Sequence, residues 1–449
     1  MKKRIFTLLL CFALVLGMTA CGDTKKDEKK APESNSTTEA NQSMEKTEKD
    51  EPKESMTMDS VKLTVSIWDN NQKPGLEQIL ADFTAQTGIE TEISVISWDE
   101  YWTLLASGAQ GGKLPDVFWM HSNESQRYME NNMLLDLTDR IKNSQSIDMS
   151  KYPADIAELY ALDGKTFGIP KDIDTIALWY NKTMFDEAGV KYPDDSWTWD
   201  DFVEAAKKLT KEDGSQYGCV IAVDNNQAGY YNMIYDYGGY VISPDKKKSG
   251  YDDPNTLKGM SVISRLLEAK AMPDLQTVSE NKTDVLMQSG KVAMATQGSW
   301  MIAAFKDNEY MVNNFDVAVL PKSEDGKRIS IYNGLGWVAA ANTEHPEQAW
   351  RLLEYLGSKE AQIKQADLGV TMSAYEGTSG NWIKSTDKFN LKAHLDMTKD
   401  MVIRPYSKKT VIWENLSIDK LKPVWEGKVD METALKELAT EMNTILSEE

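Results

Sequence analysis

The stretch VKLTVSIWDNNQKPGLEQILADFTAQTGIETEISVISWDEYWTLLASGAQGGKLPDVFWM, residues 61–120, decides the fold. Val61, Leu63, Val65 and Ile67 alternate with Lys62, Thr64 and Ser66, the period-two pattern of a half-buried strand. Trp68-Asp69-Asn70-Asn71 reads as the loop that follows. Leu76, Ile79, Leu80 and Phe83 then recur at helical spacing, and Gly88 supplies a stop. Residues 89–97 read as a second strand, 99–107 as a short helix and Pro115–Met120 as a buried third strand. A strand–helix–strand–helix–strand order implies a parallel sheet with helices on its faces, so the chain belongs to the α/β class.

The alternation continues downstream. Thr175–Tyr180 reads as a strand, and Thr198-Trp199-Asp200-Asp201 has the form of a capping box opening a helix whose buried face is Phe202, Val203, Ala206 and Leu209. Tyr217–Val223 is a further strand, and Gly238-Gly239 end the helical segment that follows it and precedes those glycines. Leu257, Met260, Ile263 and Leu267 mark another helix. Lys291–Thr296 and Phe315–Leu320 read as strands, and Leu435, Leu438, Met442 and Ile445 as the last helix. No short-period repeat is present.

The chain of 449 residues begins MKKRIFTLLLCFALVLGMTAC. A basic start and an apolar run from Ile5 to Ala20 fit a secretory signal, since a membrane span needs about 20 apolar residues. Met18-Thr19-Ala20-Cys21 resembles the bacterial lipobox, which implies a signal peptide over 1–20 and diacylation of Cys21, enough for stable anchoring. Residues 22–60 contain no Ile, Leu, Val, Phe, Trp or Tyr. Such a segment cannot offset its own ordering entropy and is expected to act as a flexible tether with a reach of about 35 Å. With Cys11 in the signal and Cys21 lipidated, Cys219 is alone in an apolar run and reads as a core thiol. No second linker of this kind appears, so the domains of the body must be intimately joined.

Charge and motif inventory narrow the function. Seventy Asp and Glu against 50 Lys and Arg give a net charge of −20, which opposes nucleic acid and anionic membrane surfaces as partners. The histidines at 121, 345 and 394 are isolated and no Cys/His cluster has metal spacing, so no metal or cofactor is expected, although a dispersed carboxylate calcium site stays open. Gly334-Leu-Gly336-Trp-Val-Ala339 formally matches a dinucleotide fingerprint, but VAAAN reads as strand rather than helix. No nucleophile elbow or phosphate loop is present.

Six segments carry a resemblance: PDVFWM (115–120), GKTFGIPKDIDTIALWYNKTMFDEAG (164–189), WTWDDFVEAAKKL (197–209), GKVAMATQGSW (290–300), FDVAVLPK (315–322) and NGLGWVAAANTEHPEQAWRLLEYL (333–356). In this order they resemble the extracellular solute-binding proteins of ABC importers, in particular the family that includes maltodextrin-binding protein. The resemblance implies a two-lobed, type II periplasmic-binding-protein fold with a sugar in the inter-lobe cleft. It places lobe 1 at 61–170 with 327–372 and lobe 2 at 171–326 with 373–449. The crossings fall near Ile169-Pro170, Lys322–Arg328 and residues 370–380. It further implies a monomer held by its lipid at the outer face of the cell membrane, delivering cargo to permease subunits without chemistry of its own.

A sugar needs flat rings against its C–H faces and planar polar groups against its hydroxyls. In open α/β sheets ligands sit beyond the carboxyl ends of strands. Three successive strand ends here carry a Trp with an acid or amide: Trp68-Asp69, Trp98-Asp99, and Trp119 with His121, Asn123 and Glu124. On the other lobe, Tyr230, Tyr231, Trp300 and Trp413 are candidates; alignment with the family puts Trp119, Trp300 and Trp413 at stacking positions. Asp172 and Asp174 follow the first crossing, and Arg404, Asn333, Trp337 and Trp382 are further candidates. Trp197, Trp199, Trp350 and Trp425 lie on helical stripes and are assigned to packing. Amine cargo, peptide or polyamine, would suit the acids, but 13 Trp favour sugar. A surface glycoside hydrolase would use the same residue types as a carboxylate pair about 5–10 Å apart. A tethered adhesin would instead set its aromatics on one outer face.

Overall fold

The computed structural model describes residues 61–449. The signal peptide, the Cys21 lipidation site and the tether expected over 1–60 lie outside the described residues. The opening stretch folds in the expected order: β1 (Lys62–Ile67), α1 (Lys73–Thr87), β2 (Glu90–Val95), α2 (Trp98–Gly111), β3 (Val117–Met120) and α3 (Ser122–Glu130). α1 ends as its glycine dictates. Gly88 adopts φ +75°, open to it without a Cβ penalty, and its N–H returns to the Thr84 carbonyl at 2.8 Å. Leu76, Ile79, Leu80 and Phe83 pack with the inward-facing Leu63, Val65 and Ile67 of β1. Burial of each such side chain is worth about 1.5–3 kcal/mol.

Two sheets organise the body. The first has the order β2-β1-β3-(336–339)-(168–170), and the second (315–318)-(176–181)-(292–298)-(217–220). β1 is parallel to both β2 and β3, as crossover helices require. Strands contributed after the chain has crossed between sheets refine the expected parallel pattern. Gly336–Ala339 runs antiparallel to β3 and to Gly168–Pro170, and Ile176–Asn181 is antiparallel to both of its neighbours. Gly336–Ala339 being a strand also removes the dinucleotide fingerprint, which needs a helix there.

Several strands are shorter than their apolar runs. Tyr217–Val220 stops before Val223, and β3 starts only at Val117, where Asp116 turns its carboxylate to the Thr64 N–H and hydroxyl, both at 2.8 Å. The capping box at Thr198 and Asp201 forms as expected. The helix it opens lies so close to strand 217–220 that a Cβ on Gly218 would stand 1.9 Å from the Ala206 carbonyl oxygen. Trp199 is buried and donates to Asp236 at 2.8 Å, and Trp425 donates to the Ile221 carbonyl at 3.0 Å, so both are packing residues.

The segments that connect the sheets are laced to one another. Lys171 N–H donates to Leu335 O at 2.7 Å, Asp174 N–H to Asn333 O at 2.9 Å and Ile173 N–H to Met372 O at 3.0 Å. Ser330–Tyr332 and Met401–Ile403 pair as a separate parallel ribbon. Residues 171–174, 330–335, 371–373 and 401–404 therefore form a hydrogen-bonded belt.

Candidate functional site

The first-sheet side is a platform of rings. Trp68, the residue after β1, is the centre: its ring lies 5.2 Å from Trp98, 5.1 Å from Tyr101, 5.8 Å from Trp102 and 4.9 Å from Trp119. Most of these pairs are edge-to-face, the geometry the aromatic quadrupole favours. Trp98 touches Trp102 at 5.4 Å and His121 at 5.3 Å. Trp68, Trp98, Trp102 and His121 are only partly buried, so this group has an open side.

His121 joins the platform to a polar web. A neutral ring with its hydrogen on Nδ1 donates to Asn123 Oδ1 at 2.8 Å and accepts from Asn333 Nδ2 at 3.1 Å. Burial, with the Arg404 guanidinium adding to it, holds the imidazole down to about 3, so it stays neutral at physiological pH. Asn123 Nδ2 reaches Glu414 Oε2 at 3.4 Å across 291 residues of sequence. Glu414 Oε1 pairs with Arg404 Nη2 at 2.7 Å and accepts from Asn226 Nδ2 at 3.3 Å. Asn226 also donates to the Tyr231 hydroxyl at 3.0 Å and accepts from Arg404 Nη2 at 3.0 Å.

The acids in this region are already engaged. Asp174 accepts from Gln227 Nε2 at 2.7 Å and Asn333 N–H at 2.9 Å, while burial first and Asp172 second push its carboxyl well above the usual range. Asp172 holds the wholly buried Lys171 at 2.6 Å and accepts from Leu335 N–H at 2.7 Å. Glu124 is clamped by Arg127 at 2.6 Å, and burial raises its pKa. Asp69 accepts from Gln72 Nε2 at 2.9 Å and Asn71 N–H at 2.8 Å, which makes it the turn residue behind Trp68.

Other expected site residues stand differently. Trp119 lies inside β3 rather than after it and is fully buried: Lys171 Nζ sits over its face at 4.5 Å and Trp337 closes it at 5.9 Å. Trp98 is the first residue of α2, not a loop residue. Tyr230, Tyr231, Trp337 and Trp413 are likewise fully buried. The Tyr230 hydroxyl pairs with Ser417 Oγ at 3.2 Å, and Trp413 Nε1 donates to Ser407 Oγ at 2.9 Å. These side chains back the web, and a ligand does not reach their faces as they stand. Trp300 is half-buried over Gly298, where a Cβ would meet its ring at 2.0 Å, and among the described residues no ring contact joins it to the platform.

Sequence reasoning did not single out Trp102, Asn226, Gln227 or Glu414. Two signals for them were present. Asn225-Asn226-Gln227 is the polar run after strand 217–220, and Glu414 adjoins Trp413. Trp102 lies one helical turn beyond Trp98. Among the described residues no group of three or more His, Cys, Asp or Glu stands together as a metal centre, and no helix is long and apolar enough to cross a membrane.

Two α/β sheets joined by crossing segments, with a ring platform at one and a polar web beside it, have the two-lobed architecture of the type II binding proteins. The family model for bacterial extracellular solute-binding proteins matches residues 69–363, and the chain belongs to that family. A binding protein of Brucella abortus is 22% identical over 395 residues, 86% of this chain and 93% of that one. The galactooligosaccharide-binding protein of Bacillus subtilis is 23% identical over 372 residues, 80% of this chain and 78% of that one. An ABC substrate-binding protein from Listeria monocytogenes, solved in complex with cycloalternan, has the same fold. Its TM-score is 0.80 at 23% identity, over 87% of this chain and 100% of that one.

Proposed function

We propose that this chain captures a carbohydrate, an oligosaccharide in particular, between a first lobe (61–170 with 327–372) and a second (171–326 with 373–449). It hands the sugar to the transmembrane subunits of an ABC importer. In this reading the protein works as a monomer, performs no chemistry, and is tethered by a lipid on Cys21 to the outer face of the cell membrane. The observation that carries the proposal is the partly open ring group of Trp68, Trp98 and Trp102, bordered through His121 by a web of amides and a guanidinium. Rings serve the apolar faces of a pyranose, and amides and guanidinium serve its hydroxyls. The sugar-binding names among the relatives agree with this chemistry.

A thermal-shift screen of residues 60–449 against mono- and oligosaccharides tests the proposal. A rise in melting temperature with one linkage class is expected, because a ligand of the folded state stabilises by mass action. No shift with any sugar in a folded, ligand-free sample would refute it.

A further inference from the structure

We propose that Arg404 is the specificity-determining residue of the cleft, donating from Nε and Nη1 to acceptor oxygens of an uncharged, polyhydroxylated ligand. The inference rests on the carbohydrate reading above and adds to it the residue and the direction of the hydrogen bonds. Arg404 is 6% exposed. Its guanidinium is fixed at one nitrogen, Nη2, by Glu414 at 2.7 Å and Asn226 at 3.0 Å. The other two nitrogens, Nε and Nη1, are buried and find no partner among the described residues. Buried donors of a charged group are costly to leave unmade, so a guanidinium anchored along one edge with two nitrogens unspent points to a ligand as the missing acceptor.

Its position agrees. Glu414, its anchor, also holds Asn123 of α3, and the guanidinium charge acts on both His121 and Asp174. Arg404 thus stands where the ring platform meets the web. The charge inventory selects the ligand class. Glu124, Asp172 and Glu414 are ion-paired with Arg127, Lys171 and Arg404, while Asp69 and Asp174 are held by amide and backbone donors, Asp174 in a fully engaged buried position, so the acids beside the guanidinium are largely spent within the protein. Polyamines and amine-bearing peptides therefore lack their counter-charge. An anionic ligand would meet the Glu414 carboxylate beside the same guanidinium. Hydroxyl and ring oxygens accept without either penalty. The planar fork, held in one orientation by Glu414, reads their geometry as a flexible lysine cannot.

The test is calorimetric titration of the wild-type chain and of Arg404→Lys with lactose, maltotriose, galacto-oligosaccharides and spermidine. Lysine keeps a positive charge beside Glu414 and removes the fork. We expect the wild-type chain to bind at least one neutral sugar and not spermidine. Arg404→Lys should weaken that sugar by at least about tenfold, the worth of one charge-assisted hydrogen bond. Should Arg404→Lys fail to fold, the paired variant Arg404→Gln/Glu414→Gln removes both charges together and should show the same loss. Unchanged sugar affinity in either folded variant overturns the assignment of Arg404 and leaves the carbohydrate reading intact. Spermidine binding without sugar binding in the wild-type chain overturns the carbohydrate reading, and the assignment with it.

Discussion

Removing Glu414 is the perturbation whose cost the structure defines best. The Arg404–Glu414 pair is 2.7 Å long with side chains 7% and 6% exposed. Desolvating two charges to this degree is expensive, and their attraction repays it only while both are present. Glu414→Ala leaves Arg404 with the Asn226 amide as its remaining partner and deprives Asn123 and Asn226 of an acceptor. The expected loss is about 3–5 kcal/mol, the usual cost of stranding one member of a buried pair. Against a total stability of about 5–15 kcal/mol that is a large fraction. Arg404→Met should cost a similar amount by stranding the carboxylate. The double variant Arg404→Met/Glu414→Ala strands no charge and should cost clearly less than the sum of the singles, so the cycle shows coupling. Urea unfolding followed by tryptophan fluorescence, with the slope checked for constancy, measures all four corners. Additive singles, or singles that each cost less than 1 kcal/mol, would refute a desolvated pair and with it the electrostatic account of the web.

Three further outcomes follow from named contacts. Gly218→Ala should destabilise by about 3 kcal/mol or more through backbone overlap with Ala206, whereas Gly88→Ala, with nothing in its way, should cost only the left-handed conformation, about 1–2 kcal/mol; equal melting temperatures would contradict this. His394 is buried, donates from Nδ1 to the Thr175 carbonyl and is held by burial down to about 3. The unfolded chain therefore binds a proton at this site that the folded chain refuses between pH 6.5 and about 3. Stability should fall as pH drops through that window, by about 1 kcal/mol per unit from this group, and His394→Gln should lose that part of the slope in unfolding measured from pH 7 to 4. Finally, Trp98→Ala should weaken sugar binding by about tenfold while sparing the fold, and Trp119→Ala should instead cost about 3–5 kcal/mol of stability; calorimetry and denaturation on both variants separate the roles.

The last pair of variants shows what the sequence could and could not tell. Elements were legible because their signals are local. The alternation at 61–67, the stripe at 76–83 with its glycine stop, and the capping box at Thr198 each specify their own backbone within a few residues. The clustering of tryptophans near the ends of the first three strands was legible for the same reason. Which of those rings stays open was not. Trp68 and Trp119 are equally strand-end-like in sequence, and the difference between them is made by Lys171, 52 residues after Trp119, whose ammonium group covers one face, and by Trp337, which arrives on a strand from the far side of the chain.

The polar half of the candidate site was only partly legible: Asn123 and Arg404 were candidates, but the weak local signals at Asn226 and Glu414 do not show that the four meet. Asn123, Asn226, Arg404 and Glu414 come from four separated segments, and each alone is an ordinary surface residue type. What brings them together is shared burial, which favours matching of donors and acceptors and so picks out those left unmatched, among them the two guanidinium nitrogens. The same burial bears on the acid count, which keeps amine cargo open as an alternative to sugar in the sequence. Five carboxylates converge near the belt, and each is consumed by a partner the sequence could not pair with it: Asp172 by its neighbour Lys171, Glu124 by Arg127, Asp174 and Asp69 by amide and backbone groups, and Glu414 by Arg404. An acid that is already satisfied does not recruit a cation. What stays unmatched at Arg404 is a pair of guanidinium donors rather than a net charge, which Glu414 balances.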